Sequence, residues 1–228
     1  MDAFLNQLWI ARWPILDGFL LTMAISVAAI VIGTVVGAVV GIQLVYGNWL
    51  TRLPFRIYVD VMRGTPVLAQ LFILYFGLTQ VGIRFTPVQA AIIGLGLNGG
   101  AYLAEVFRSG IESIHRGQME AALTVGLTPM AAMRWVILPQ AMTVVVPPTT
   151  NYSIALLKDT AIVSAVAAPE IMFKARNLVM ETYLSAQIYL LVAIMYLCMS
   201  LVLSWISRRL ERRLAVSRTI TDETVTFA

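Results

Sequence analysis

The sequence predicts an all-α membrane protein with about five transmembrane helices. Three observations carry that expectation. Of the 228 residues, 59% are hydrophobic and only 12% are charged, against about 25% charged in a soluble domain. The mean hydropathy is +0.83. The apolar residues also gather into runs of the length a helix needs, about 20 residues, to cross about 30 Å of hydrocarbon. A chain of this length supports one domain, here one helical bundle within residues 1–213.

The runs cover residues 15–45, 59–80, 87–107, 135–157 and 187–206. Five spans put the termini on opposite sides. Arg and Lys in short loops mark the cytoplasmic side. The last run is followed by Arg208, Arg209, Arg212 and Arg213, the first connection carries Arg52 and Arg56, and the third carries Arg108, Arg116 and Arg134. All three segments fall on one side. The other side holds Arg84, then Lys158, Asp159, Glu170, Lys174, Arg176 and Glu181, whose charges cancel. The expected topology is N-terminus outside and C-terminus cytoplasmic, with residues 214–228 as a cytoplasmic tail. The first run is too long for a leader's apolar core and its flank is not basic enough, so it reads as an uncleaved span. The net charge of +4 does not argue for nucleic acid, because the arginines sit at span ends as surface anchors.

Each run has its own character. The first carries Gly18, Thr22, Ser26, Ala29, Gly33, Gly37 and Gly41 at steps of three and four, a small-residue stripe on which a second helix can pack closely. The second is broken at Arg63-Gly64-Thr65-Pro66, where Thr65 suits an N-cap and Pro66 an N1 position. From Pro66 to Gln80 a helix is only about 22 Å long, so residues 54–62 must supply the rest, entering obliquely. Asp60 and Arg63, three apart, could pair there. In the third, Gly94, Gly96 and Gly99 spell a G-x-G-x-x-G in mid-span. A nucleotide fingerprint needs a strand before it, so these are packing glycines. The fourth contains Pro147-Pro148 followed by Thr149, Thr150, Asn151 and Ser153. Proline removes a donor and clashes with the preceding turn, and both a transport path and a kinked packing helix fit. Residues 161–168 are apolar but too short to span, and suit a re-entrant or surface segment. Cys198 can form no disulfide within the chain and reads as a small buried hydrophobe. With one His, His115, there is no His-rich metal site.

The third connection contains the stretch from Gly117 to Pro129. Met119, Ala122, Leu123 and Gly126 share one face of a short helix, Gly126 suits a left-handed C-terminal cap, and Thr128-Pro129 suits the start of the next helix. Glu120-Ala121-Ala122, three residues, Gly126, nine residues, then Val136-Ile137-Leu138-Pro139 resembles the EAA signature of ABC importer permeases, with Val136 in place of the usual Ile. Arg63-Gly64-Thr65-Pro66 with Gln70-Leu71 and Tyr75-Phe76-Gly77, Ala101-Tyr102 with Glu105 and Arg108-Ser109-Gly110-Ile111, and Leu157-Lys158-Asp159-Thr160 are similar to stretches of the polar amino-acid branch of that family. The resemblance runs from about Gly18 to Arg213.

That resemblance implies the type I ABC importer permease fold and a bacterial inner (cytoplasmic) membrane location. It implies a second permease subunit, identical or paralogous, two ABC ATPase subunits docked on residues 117–129 through Met119, Glu120, Ala121, Ala122, Leu123 and Gly126, and an extracytoplasmic amino-acid-binding protein. The chain lacks G-x-x-x-x-G-K-[ST], so ATP and Mg belong to the ATPase and this chain is a transport subunit, not an enzyme. A secondary transporter would need paired broken helices in two halves, which five spans do not supply. Motifs of membrane hydrolases are absent, and a channel subunit is disfavoured chiefly by the EAA spacing.

Desolvating an amino acid's ammonium or carboxylate without partners costs several kcal/mol, of order 2–7 even for a neutral polar group. A path therefore needs a few polar groups at depth. The candidates are Gln70, Asn98, Tyr102, Glu105, Asn151 and Ser153, with Lys158, Asp159 and Thr160 as an outer gate. Asn98, Tyr102 and Glu105 are spaced to share a face. The competing reading pairs Glu105 with Arg108 and leaves Lys158-Asp159 as a helix anchor.

Overall fold

The structure, a computed structural model, describes the backbone of residues 2–225 and the side chains of residues 12–212. Helix α1 (Asp2–Tyr46) lies against α4 (Pro87–Glu112) along the small-residue stripe. A methyl group added at Gly37 would sit 2.6 Å from the Cβ of Leu103, and one at Gly41 would sit 2.8 Å from the carbonyl oxygen of Ala104. The contact is reciprocal: Ile32 and Val36 of α1 fill the space over Gly96 and Gly100. The glycines of the third run are thus a packing surface, as the sequence suggests. Without a hydrophobic drive between helices in lipid, such close approach supplies the attraction.

Helix α2 (Trp49–Gly64) starts at Asn48, whose side chain accepts from the Thr51 amide at 3.0 Å. Arg52 reaches back to the Val45 carbonyl, tying α2 to the end of α1. Helix α3 (Val67–Phe72) follows and continues through a π turn (Ile73–Gly77) and a 3-10 turn (Leu78–Val81). The axis bends by 108° between Trp49–Gly64 and Val67–Val81. Counting this bent pair once, the described residues hold up to five helices long and apolar enough to span. The break falls where expected but its chemistry differs. Thr65, extended before the proline at φ −118° and ψ 146°, stands one residue too early to cap α3, which begins at Val67. Pro66 takes the cap position instead, and the Thr65 hydroxyl donates backward to the Val61 carbonyl at 2.8 Å. Asp60 and Arg63 form no ion pair among the described residues, and the Arg63 guanidinium lies 5.3 Å from the Tyr102 ring centroid.

Helix α4 opens with a reciprocal cap between Thr86 and Gln89 and runs on to Glu112, beyond the expected end at residue 107. Two short helices follow, α5 (Arg116–Thr124) and α6 (Pro129–Ala132). A π turn (Met133–Ile137) joins α6 to α7 (Leu138–Asp159). Pro147 and Pro148 do not interrupt α7. Proline's φ is close to the helical value, and the buried neighbours Val145, Val146 and Ser153 hold both halves in line.

After α7, a 3-10 segment (Thr160–Val166) ends at Ala167 with φ 58°. It is neither a span nor a surface loop. Val163, Val166 and Ala168 are fully buried in one core cluster with Ile25, Ala29 and Leu71. Helix α8 (Ile171–Thr182) and the long α9 (Ser185–Val225) complete the bundle. Cys198, expected to be buried, is exposed, because α9 buries the face carrying Ile188, Val192 and Met199.

Gly41→Ala is expected to force α1 and α4 apart, since a Cβ there meets backbone, and to destabilise the permease by about 1–3 kcal/mol. Gly64→Ala, with nothing within 4 Å of its added Cβ, should be close to neutral. Thermal unfolding in detergent distinguishes them, and equal midpoints would contradict the seam.

Candidate functional site

The bend between α2 and α3 interrupts the helical hydrogen bonding and frees backbone carbonyls that need other partners. Two side-chain amides take that role. The Gln70 amide nitrogen is 2.8 Å from the Met62 carbonyl and 2.7 Å from the Thr65 hydroxyl. The Asn98 amide nitrogen donates to the same Met62 carbonyl at 3.0 Å and to the Gln70 side-chain oxygen at 3.1 Å. The Tyr152 hydroxyl closes the chain on the Asn98 side-chain oxygen at 3.4 Å. Residues from α3, α4 and α7 therefore meet at one joint.

Against that joint lies a cavity of about 380 Å³, lined by Arg63, Thr65, Asn98, Tyr102, Tyr152 and Asp159 among others. The rings of Tyr102 and Tyr152 stack at 5.4 Å and 21°, and the Arg63 guanidinium faces the Tyr102 ring. A cation, a carboxylate and a pair of aromatic faces thus border one polar space. Such a set can hold a small molecule carrying both charges, with each charge facing its opposite.

The structure distributes the remaining candidates. Glu105 lies off the cavity, bridging Arg108 at 2.6 Å, while Arg108 also reaches Glu112 at 2.7 Å. This is a ladder along the surface of α4. Asn151 is exposed on α7, and buried Ser153 donates to the Thr149 carbonyl of its own helix at 2.9 Å. Lys158, Asp159 and Thr160 separate: Lys158 is exposed, Asp159 lines the cavity and Thr160 is fully buried. No ion pair joins Lys158 to Asp159 among the described residues. Tyr152, unremarked in the sequence, was detectable in principle: it stands seven residues before Asp159, two helical turns away on the same face of α7.

A second polar joint involves Glu170, which sequence reasoning placed only within a charge-balanced segment. It is fully buried and caps α8, accepting from the Met172 and Phe173 amides, each at 2.8 Å. The Tyr196 hydroxyl of α9 donates to it at 3.0 Å, and Thr22 of α1 approaches at 3.5 Å while accepting from the Ile171 amide at 3.1 Å. Thr160 lies 3.4 Å from the Tyr196 hydroxyl. Burial raises the Glu170 pKa, and the donors from Met172, Phe173, Tyr196 and Thr22 oppose that shift. The signal in the sequence was a Pro-Glu pair directly before a helix, an N-cap position with an acid that suits the helix dipole.

Helix α5 forms a separate surface feature. His115 caps it through a ring nitrogen that accepts from the Gly117 amide at 3.1 Å. It ends at Gly126, φ 90°, with the Gly126 amide on the Leu123 carbonyl and the Leu127 amide on the Ala122 carbonyl, a left-handed C-terminal cap. The expected common face divides. Ala122 is buried and Met119 packs on Ile111, Ile137 and Ala141. Glu120, Ala121, Leu123 and Gly126 point outward. Val125 and Met130, 78% and 77% exposed, add apolar surface beyond the end of α5.

Residues 29–216 match the family described as "binding-protein-dependent transport system inner membrane component". The chain is similar to the glutamine transport system permease protein GlnP of Escherichia coli K12, with 35% identity over 214 residues, 91% of this chain and 98% of that one. It is also similar to the probable amino-acid ABC transporter permease protein YckA of Bacillus subtilis 168, with 35% identity over 93% of this chain and 94% of that one. Among solved structures, a crystal structure of an amino acid ABC transporter with histidines superimposes with TM-score 0.82 at 33% identity, covering 90% of this chain and 97% of that chain. Inward-facing conformations of the MetNI methionine ABC transporter share the fold, with TM-score 0.74 at 23% identity over 89% and 97% of the two chains.

Glu170→Ala is expected to strand two amides and the Tyr196 hydroxyl in apolar surroundings and to cost about 1–3 kcal/mol. Tyr196→Phe removes one donor and should cost about 1 kcal/mol. Thermal unfolding of the purified permease reads both, and wild-type stability in Glu170→Ala would contradict the joint.

Proposed function

The chain belongs to the binding-protein-dependent transport system inner membrane component family and is the permease subunit of an amino-acid ABC importer, and from that premise we propose that it passes polar amino acids into the cytoplasm through the cavity beside the α2–α3 bend. The observation that carries this reading is the juxtaposition of Arg63 and Asp159 on one cavity with the Tyr102–Tyr152 stack. An α-amino acid carries one carboxylate and one ammonium. Arg63 faces the first and Asp159 the second, while the aromatic faces accept the side chain. Asn98 both lines the cavity and braces the bend, so recognition and architecture share a residue.

In this reading the outer face of α5 docks an ABC ATPase subunit, which binds ATP and Mg. A second permease, identical or paralogous, completes the cavity, and an extracytoplasmic binding protein delivers the amino acid. The N-terminus lies outside and the C-terminus in the cytoplasm. The left-handed cap at Gly126 supports the docking role, because it ends α5 sharply and leaves Leu123, Val125 and Met130 exposed. Lys158, exposed beside Asp159, stands at the outer mouth, and buried Thr160 anchors the segment behind it.

Uptake by the reconstituted complex tests both halves. Asp159→Asn and Arg63→Gln should each reduce transport of labelled amino acids at least about tenfold, the effect of losing roughly 1.4 kcal/mol of binding, with the complex intact. Gly126→Asp should abolish uptake and weaken ATPase association while the permease still inserts. Wild-type uptake in the first pair would remove the cavity from the path, and wild-type ATPase association in Gly126→Asp would remove α5 from docking.

A further inference from the structure

Past the midpoint of α9, and sharing no residue with the proposed substrate cavity, lies a basic cavity. Trp205, Arg208, Arg209 and Arg212 line a space of about 150 Å³. The Arg209 guanidinium stacks 4.1 Å from the Trp205 ring centroid, which fixes one wall. The nearest acid in the sequence, Glu211, is turned away and accepts from the Thr150 hydroxyl of α7 at 2.8 Å. Among the described residues, no carboxylate forms an ion pair with these three arginines. Arg208 and Arg212, four apart on one helix face, repel one another, and an anion held among the three guanidiniums would offset that repulsion.

Above this cavity is an apolar groove between α1 and α9. It measures about 190 Å³ and includes Phe19, Met23, Ile30, Val202, Leu203 and Ile206. Its one hydroxyl residue, Ser26, is already bonded to the Thr22 carbonyl at 2.7 Å, so the groove offers a ligand nothing polar beyond the weak donor of Cys198. Ile206 stands three residues before Arg209, a rise of about 4.5 Å along the helix. The groove and the basic cavity therefore lie on adjacent turns of α9. A free phosphate would use only the basic end, and an apolar helix would use only the groove. An amphiphile with an anionic head uses both. We propose that this surface holds one anionic phospholipid, its phosphate on Arg208, Arg209 and Arg212 and one acyl chain along Val202, Leu203 and Ile206.

Native mass spectrometry of the assembled complex, released from nanodiscs of equal phosphatidylglycerol and phosphatidylcholine, tests this. The wild-type complex should retain phosphatidylglycerol in preference to phosphatidylcholine. Replacing all three arginines (Arg208→Gln, Arg209→Gln, Arg212→Gln) should lower that preference by up to roughly a hundredfold, at about fivefold per charge. Val202→Trp, which fills the groove and leaves every charge in place, should also reduce retention. Millimolar inorganic phosphate should not displace the lipid. Equal retention of the two lipids by wild type overturns the proposal, whether or not the triple variant assembles. So does undiminished phosphatidylglycerol retention in Val202→Trp, or displacement by inorganic phosphate.

Discussion

A bent helix must find partners for the backbone it breaks, and the amides of Gln70 and Asn98 meet that requirement at the Met62 carbonyl. An unpaired backbone group in lipid costs several kcal/mol, of order 4–8 on a water-to-hydrocarbon scale, which exceeds what most single contacts return. At the 108° turn between α2 and α3 side chains supply donors that the helix has lost. Two amides on the Met62 carbonyl do this, and they come from different helices. The bend, in turn, opens the polar space between Arg63 and Asp159. The cavity follows from how the chain solves a backbone problem.

The remaining architecture serves to hold those helices at fixed spacing. The glycine seam brings α1 against α4, which carries Asn98 and Tyr102. Glu170 gathers α1, α8 and α9 at a second joint and fixes the start of α8 beside the buried 3-10 segment that continues from Asp159. The two joints use the same logic: acceptors and donors that a membrane would penalise are paired with one another, so each network is both costly to break and specific in geometry. Between them the apolar cluster of Ile25, Ala29, Leu71, Leu95 and Val163 packs without polar groups.

Span number, the glycine seam, the break before Pro66 and the cap at Gly126 were legible because each follows from local rules of length, periodicity or φ. What was not legible depends on which way a side chain turns. Thr65 looks like a cap, but Pro66 is itself extended and the helix begins one residue later. Pro147-Pro148 looks like a break until the packing of its neighbours is known. Lys158, Asp159 and Thr160 form one motif in the sequence, but successive helical residues point about 100° apart, and their surroundings are solvent-facing, cavity and core. Glu105 shares a face with Tyr102 by spacing, yet Arg108 is nearer. Cys198 is apolar by composition, but burial on α9 depends on which face meets its neighbours. Glu170 carried its signal in one pair of letters, Pro169-Glu170, and only the tertiary contacts with Thr22 and Tyr196 reveal its reach.

The dependence of transport on the bend is tested most directly by a double-mutant cycle on Gln70→Leu and Asn98→Leu, read as initial uptake by the reconstituted complex at matched assembly. Because both amides serve one carbonyl and one cavity, each single variant should lose most of the activity and the double variant should be little worse, a coupling of at least about 1 kcal/mol. Additive losses, or wild-type uptake in either single variant, would contradict the claim that these two side chains hold the bend open for the substrate.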